Sequence, residues 1–235
     1  MDNRTERLAP GVWRVEVGAF TNVFVLADDA GRLTVVDTGT ASAGPRLVRS
    51  VRMLGFDPRT IDDVLLTHWH ADHSGSAAAL ATSSAAPRVW IGEGDLAVLT
   101  SGRRPPVPPA PDANAGGRLV LARAPAPAPV PGARPLLDGD RRATAGGLEV
   151  VATPGHTPGH VAFLLPAHGI LLAGDALWNL GRLSPGPRYP SSALSARPAT
   201  LRRLATLDVA TLAVAHGPPV THGTRERLER IAARG

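Results

Sequence analysis

Residues 67–73 read Thr67-His68-Trp69-His70-Ala71-Asp72-His73, in a chain of 235 residues that holds only 8 histidines. Borderline divalent metals such as zinc bind imidazole and carboxylate at about 2.0–2.2 Å, and a catalytic site keeps one coordination position open for water. In an extended segment the side chains at i and i+2 point the same way. His68 and His70 can therefore close on one ion while Asp72 and His73 reach a second. A single histidine beside a strand is ordinarily a satisfied polar group, but four ligand-type residues within six positions are a far stronger signal. The stretch marks a metal-dependent enzyme. Trp69, between two ligands, either packs against the cluster or walls a pocket.

Outward from this stretch, Ile61–Leu66 predicts a buried strand that delivers the cluster at its carboxyl end, the expected place for ligands in α/β sheets. Ala-rich Ser76–Thr82 predicts a helix, and Arg88–Ile91 a further strand. Upstream, Val12–Val17, Asn22–Ala27 and Leu33–Val36 are rich in β-branched and apolar residues and are separated by turn formers. Pro45–Leu54 sets Leu47, Val48, Val51 and Leu54 at helical spacing, with Gly55 as a stop. Downstream, Leu148–Ala152, Val161–Leu165, Ile170–Ala173 and Thr211–Ala215 predict strands, and Ala199–Leu207 and Thr224–Ala232 predict helices. Two proline-rich stretches, 102–117 and 124–135, interrupt the pattern. Proline removes a backbone donor and fixes φ, so neither stretch forms a central strand or a helix interior. Both are expected as surface or partly ordered loops. The alternation of strand sets with helices gives two β-rich halves, of the α/β or α+β class.

Bulk properties bound the rest. This length suits one domain over residues 1–235 with a large core. No apolar run approaches 18 residues, so no transmembrane helix is expected. The amino terminus, from Met1 to Arg7, lacks the apolar core of a signal peptide. A cytoplasmic protein follows as the expectation. There is no cysteine, which excludes disulfides, Cys-based metal sites and a Cys nucleophile. All 25 basic residues are arginine and the net charge is +5. Those arginines are scattered rather than gathered into a nucleic-acid footprint. A small-molecule substrate is expected, with neither nucleic acid nor membrane as partner; monomer and homodimer both stay open.

Thr67-His-Trp-His-Ala-Asp-His-Ser-Gly75 resembles the His-x-His-x-Asp-His signature of the metallo-β-lactamase fold superfamily. Thr153-Pro-Gly-His-Thr-Pro-Gly-His160, Leu172-Ala-Gly-Asp-Ala-Leu177 and Val214-Ala-His-Gly217 match its later segments in order. Leu33-Thr-Val-Val-Asp-Thr-Gly39 is similar to the strand and turn that precede the site. The likeness runs from about residue 11 to about 233. It implies a four-layer αββα sandwich with the metals between the halves at one edge. It also selects His156, Asp175 and His216, which spacing alone would not.

Carried over position by position, the resemblance implies one metal held by His68, His70 and His156. The other is held by Asp72, His73 and His216, with Asp175 bridging where some relatives carry a cysteine. The implied cofactor is a pair of divalent ions, zinc first, with iron or manganese as alternatives. Two such ions about 3.5–4 Å apart share a hydroxide, since metal binding brings a water's pKa to about 7. Asp72 also orients the nucleophile or shuttles a proton, which makes it the catalytic candidate. Imidazole ligands need orienting partners. Asp37 is either such a partner or a turn former, and His160 either orders the His156 loop or does not. Thr67 and Thr157 either bond neighbouring ligands or cap local backbone. His168 and His222 are expected outside the site. Trp178, Asn179, Arg182 and Arg188 follow Asp175 in a Gly/Pro-rich loop that suits a substrate-facing segment. Arginine there either binds a carboxylate or phosphate bidentately or is simply solvated.

The leading expectation is hydrolysis of an ester, thioester or lactone, because Pro-Gly-His-Thr-Pro-Gly-His is similar to glyoxalase II-type thioesterases. The alternative class is an oxidoreductase. Persulfide dioxygenases resemble this chain around the same motifs but hold one iron with a two-His, one-carboxylate set, here His68, His156 and Asp175. Such a site with open positions suits non-haem iron. β-Lactamase and nuclease activities rank lower.

Overall fold

The computed structural model describes residues 5–18 and 21–234. Residues 1–4, on which the localisation expectation partly rests, lie outside them. The first sheet has seven strands in sequential order: β1 (Thr5–Ala9), β2 (Val12–Gly18), β3 (Thr21–Ala27), β4 (Leu33–Val36), β5 (Ile61–Leu66), β6 (Arg88–Gly92) and β7 (Arg134–Leu136). Neighbours are antiparallel from β1 to β4 and parallel from β4 to β7. The change of sense has a chain-length cause. β4 to β5 is crossed by helix α1 (Gly44–Met53), and β5 to β6 by the short helices α2 (Ala71–Ser74) and α3 (Ala77–Ala81). A parallel neighbour needs such a crossover, whereas an antiparallel one needs only a turn.

The second sheet is ordered β14-β11-β10-β9-β8, from strands β8 (Arg141–Arg142), β9 (Leu148–Ala152), β10 (Val161–Leu165), β11 (Ile170–Leu172) and β14 (Thr211–Ala213). A two-stranded ribbon, β12 (Leu177–Asn179) with β13 (Leu183–Pro185), follows β11. The remaining helices are α4 (Glu93–Ser101), α5 (Ala115–Leu121), α6 (Arg197–Thr206) and α7 (Thr224–Ala232).

Strand alternation builds the layers. On β3, Val23 and Val25 join Leu47 and Val51 of α1 and Leu99 of α4 in one apolar cluster. Phe24 and Leu26 face the other way, into a cluster with Phe163, Leu165, Ile170 and Leu172 of the second sheet. The outer face of that sheet, through Ala162, Leu171 and Leu212, packs on Leu201 and Leu204 of α6 and Leu228 of α7. Helices, sheet, sheet and helices form a four-layer αββα sandwich. The period of two along each strand is what makes both faces of both sheets apolar.

Most elements lie where the sequence predicts them, within two residues. The first proline-rich stretch differs at its end. It is irregular to Asn114, whose Oδ1 accepts from Gly117 N at 2.7 Å and caps α5. The second ends in β7, where Pro135 pairs with Ile91 on the sheet edge, a position that tolerates a missing donor. Helices α2 and α4, strands β1 and β8 and the β12–β13 ribbon were not predicted. Among the described residues no helix is long and apolar enough to cross a membrane.

Candidate metal centre

Strand β5 ends at Leu66 inside the first sheet, and the donor-rich residues follow it directly. The Thr67 carbonyl accepts from Val161 N of β10 at 2.9 Å, so the two sheets are stitched together where the ligand cluster begins. Helix α2 then turns Asp72 and His73 back toward the cluster. His156 arrives on the loop between β9 and β10, Asp175 on the turn after β11, and His216 after β14. Gly174, before Asp175, has φ +52°, and a Cβ there would lie 2.7 Å from His160 Nε2 and 2.9 Å from Thr67 Cβ. Only glycine fits this approach.

The donors converge in two sets. His70 Nδ1 lies 3.0 Å from His68 Nε2 and 2.8 Å from His156 Nε2, a compact three-imidazole group. In the second set, His73 Nε2 and His216 Nε2 lie 3.6 and 3.4 Å from Asp72 Oδ2. Asp175 Oδ1 is 3.4 Å from His73 Nε2 and 3.2 Å from His216 Nε2, whereas its Oδ2 faces His156 Nε2 at 3.4 Å. One carboxylate thus presents one oxygen to each set. A tetrahedron with metal–ligand bonds of about 2.1 Å has edges of about 3.4 Å, the spacing of the second set. His73 Nε2 is buried without a hydrogen bond, its carboxylate neighbours standing at 3.4 and 3.6 Å, a spacing that a cation between them would satisfy. The residues fit divalent metal ions.

Partners on the far side of each ring fix its orientation. His73 Nδ1 donates to Asp37 Oδ2 at 2.8 Å, and Thr67 N donates to Asp37 Oδ1 at 2.8 Å. Asp37 is therefore an orienting group; it also sits at φ +59°. The Thr67 hydroxyl donates to the same carboxylate and faces His68 Nδ1 at 3.0 Å, so Thr67 bonds the ring of a candidate ligand rather than merely capping backbone. Thr157 does not: its hydroxyl donates to Asp95. His160 Nε2 accepts from Asp175 N at 3.0 Å, and its Nδ1 lies 2.7 Å from Thr153 Oγ1. It holds the Asp175 turn as well as the start of the His156 loop.

Electrostatics divide the two sets. Burial lowers His68 and His156 well below the ordinary histidine value and takes His70 and His160 to about 4. Burial acts the same way on His73, yet Asp72, Asp175 and Asp37 outweigh it and raise that group to about 9. His216 is raised to about 10 against burial, by Asp175 and Asp72. The same imidazoles hold both carboxyls well below the usual carboxylate range despite burial. One set is three neutral rings; the other pairs two carboxylates with two protonated imidazoles in the metal-free protein and becomes anionic only where a cation displaces those protons.

Around the cluster, Trp69 is 1% exposed and packs on the His70 ring, so it belongs to the core. Trp178 is half-buried, with its ring centroid 4.3 Å from that of His216, beside the second set. Asn179 Nδ2 donates to Pro218 O at 2.8 Å, bracing the His216 loop. Arg182 is exposed at the turn of the β12–β13 ribbon, and Arg188 lies further along the same segment. His168 lies on a remote turn, and His222 is exposed. Sequence reasoning missed Asp95 and Ser191. Ser191 Oγ lies 3.2 Å from His156 Nδ1, donates to Pro187 O and accepts from Arg197. Neither residue stands out by spacing.

The chain belongs to the metallo-beta-lactamase superfamily, whose family model matches residues 17–216. It is 33% identical over 195 residues to a hydroxyacylglutathione hydrolase of Pseudomonas putida, an alignment spanning 80% of this chain and 58% of that one. An uncharacterised protein of Bacillus subtilis, YobT, is 30% identical over 153 residues, 64% of this chain and 60% of that one. The chain thus spans little more than half the length of these curated relatives. Among solved structures, a metallo-beta-lactamase family protein from Thermus thermophilus has a TM-score of 0.74 at 30% identity, covering 97% of this chain and 80% of the other. A B3 metallo-beta-lactamase with an active-site glutamic acid has a TM-score of 0.73 at 26% identity, covering 98% and 89%.

Proposed function

We propose that this chain is a metal-dependent hydrolase that holds two divalent ions, zinc first, and cleaves an ester, thioester or lactone of a small molecule. The reading takes residues 1–235 as one domain acting in the cytoplasm. The observation that carries it is Asp175, with one carboxylate oxygen turned to the three-imidazole set and the other to the second set. Bound there, divalent ions supply Lewis acidity and bring the pKa of a water to about 7. The residues of the chain do the rest. Asp72, whose side chain is 41% exposed while every imidazole in the cluster is buried, is the group able to reach incoming substrate and move a proton at Oδ2. Trp178 offers a flat apolar wall next to His216. Arg182 and Arg188 are proposed to meet a carboxylate on the substrate. The likeness to hydroxyacylglutathione hydrolases supports a thioester before a β-lactam.

A metal count on protein purified without added metal, joined to a screen over thioesters, lactones, β-lactams and phosphodiesters, tests this. Two zincs per chain with acyl hydrolysis, lost in His70→Ala and Asp175→Ala, is the expected result. One iron per chain with oxygen consumption would replace it by the dioxygenase reading.

A further inference from the structure

Asp95 is 1% exposed and has no part in the ligand set. It lies in the first turn of α4, and three donors converge on its carboxyl group. Trp69 N reaches Oδ2 at 3.2 Å, Thr157 Oγ1 reaches Oδ2 at 2.7 Å, and Gly159 N reaches Oδ1 at 2.9 Å. Trp69 is the residue between His68 and His70, and Thr157 follows His156. Asp95 therefore bonds both loops that furnish the three-imidazole set, one from each sheet.

The approach is close enough to make this contact rigid. A Cβ on Gly159 would lie 2.2 Å from Asp95 N, so the first turn of α4 rests directly on the His156 loop. Burial is the main influence on this carboxyl and pushes it up to about 6, with the three hydrogen bonds acting against it. A buried carboxyl of this kind is costly unless its donors are all made. An apolar residue of similar size would spare that cost but would leave the two loops without a shared anchor.

We propose that Asp95 is a positioning residue that sets the distance between the His68–His70 segment and the His156 loop, and so the affinity of the three-imidazole site for its cation. The proposal rests on reading those histidines as metal ligands. Asp95 bonds no residue of the second set, so its effect falls on one of the two ions only. Outer partners of metal ligands typically alter affinity by about 10–100-fold.

The test is cobalt(II) titration of metal-free protein, followed by the visible absorption of each site, for wild type, Asp95→Asn, Thr157→Val and Thr157→Ser. Asp95→Asn places an amide donor against one of the existing donors. Thr157→Val removes a single hydrogen bond without changing side-chain shape, and serves where the Asp95 variant folds poorly. Expected is a fall of about 10–100-fold in the affinity for one ion in Asp95→Asn. A smaller fall is expected in Thr157→Val, with the second ion bound as in wild type and Thr157→Ser restored. A purely structural role lowers the melting temperature and leaves both affinities alone. Unchanged affinities, or an equal loss at both sites, overturn the proposal. Wild type that takes up no cobalt overturns the ligand reading beneath it.

Discussion

Asp37→Asn separates charge from shape at the cluster. Asp37 is 1% exposed, and its carboxylate accepts from Thr67 N, from the Thr67 hydroxyl and from His73 Nδ1 at 2.8 to 2.9 Å. Its φ of +59° is a conformation that asparagine also tolerates, so the substitution adds little backbone strain; alanine would add about 1–2 kcal/mol. Asparagine presents one oxygen where three donors expect two. One donor faces the amide, and the charge that strengthens the His73 bond is gone. Hydrogen bonds to a charged group contribute about 1.5–3 kcal/mol, against about 0.5–1.5 kcal/mol for neutral ones. The difference, about 1–1.5 kcal/mol at His73, adds to the misfit at Thr67. The sum corresponds to roughly a tenfold to hundredfold loss of metal affinity, the range for outer partners of ligating histidines. Zinc titration of metal-free protein against a chromophoric chelator reads this directly, with the loss expected in the set that contains His73. A folded Asp37→Asn variant that binds both ions as tightly as wild type at neutral pH would refute the reasoning.

Further outcomes follow from pH and from packing. In metal-free protein His73 and His216 are raised to about 9 and about 10, above the unfolded value of about 6.5. The stability they contribute is complete below about pH 6.5 and is lost as pH rises through those values. His70 and His160, lowered to about 4, act in the opposite sense and cost stability as pH falls from about 6.5 toward 4. The melting temperature of chelator-treated protein is therefore expected to peak near neutrality. Metal affinity is expected to keep rising above about pH 7, because the same protons compete with the cation. A flat melting profile from neutrality up to about pH 10 would contradict the first expectation. Phe163→Ala removes a fully buried ring from between the sheets and is expected to destabilise the fold by about 3–5 kcal/mol in urea unfolding.

The fold was legible where apolar alternation was strong. Leu33–Val36, Ile61–Leu66 and Leu148–Ala152 coincide with their predicted strands, because their apolar residues are shared between buried layers on the two faces of each sheet. Helix α4 escaped notice because Gly92 and Gly94 interrupt its start, and their reason is a backbone contact with Gly159 that no local pattern reveals. The ribbon strands have three residues each and one contains Pro185, too short for periodicity to register. At the site, residues 68–73 identified themselves by density of donors. His156, Asp175 and His216 needed the resemblance, since topology rather than sequence distance brings them together. Thr67 could be read from sequence only as one of two alternatives, and Ser191 and Asp95 lie beyond either route. A hydroxyl or carboxylate that orients a ligand looks, in sequence, like any other polar residue.

The order of the strands has a consequence for synthesis. The first sheet is complete at Leu136, while the second begins only at Arg141. A chain leaving the ribosome therefore displays Phe24, Leu26, Val36 and Leu65 as a naked greasy face until Phe163, Leu165, Ile170 and Leu172 emerge to cover them. Exposed surface of this kind invites aggregation and the attention of chaperones. The three-imidazole set is complete once His156 has emerged, whereas the set with both carboxylates needs His216, so the centre is finished only near the end of the chain.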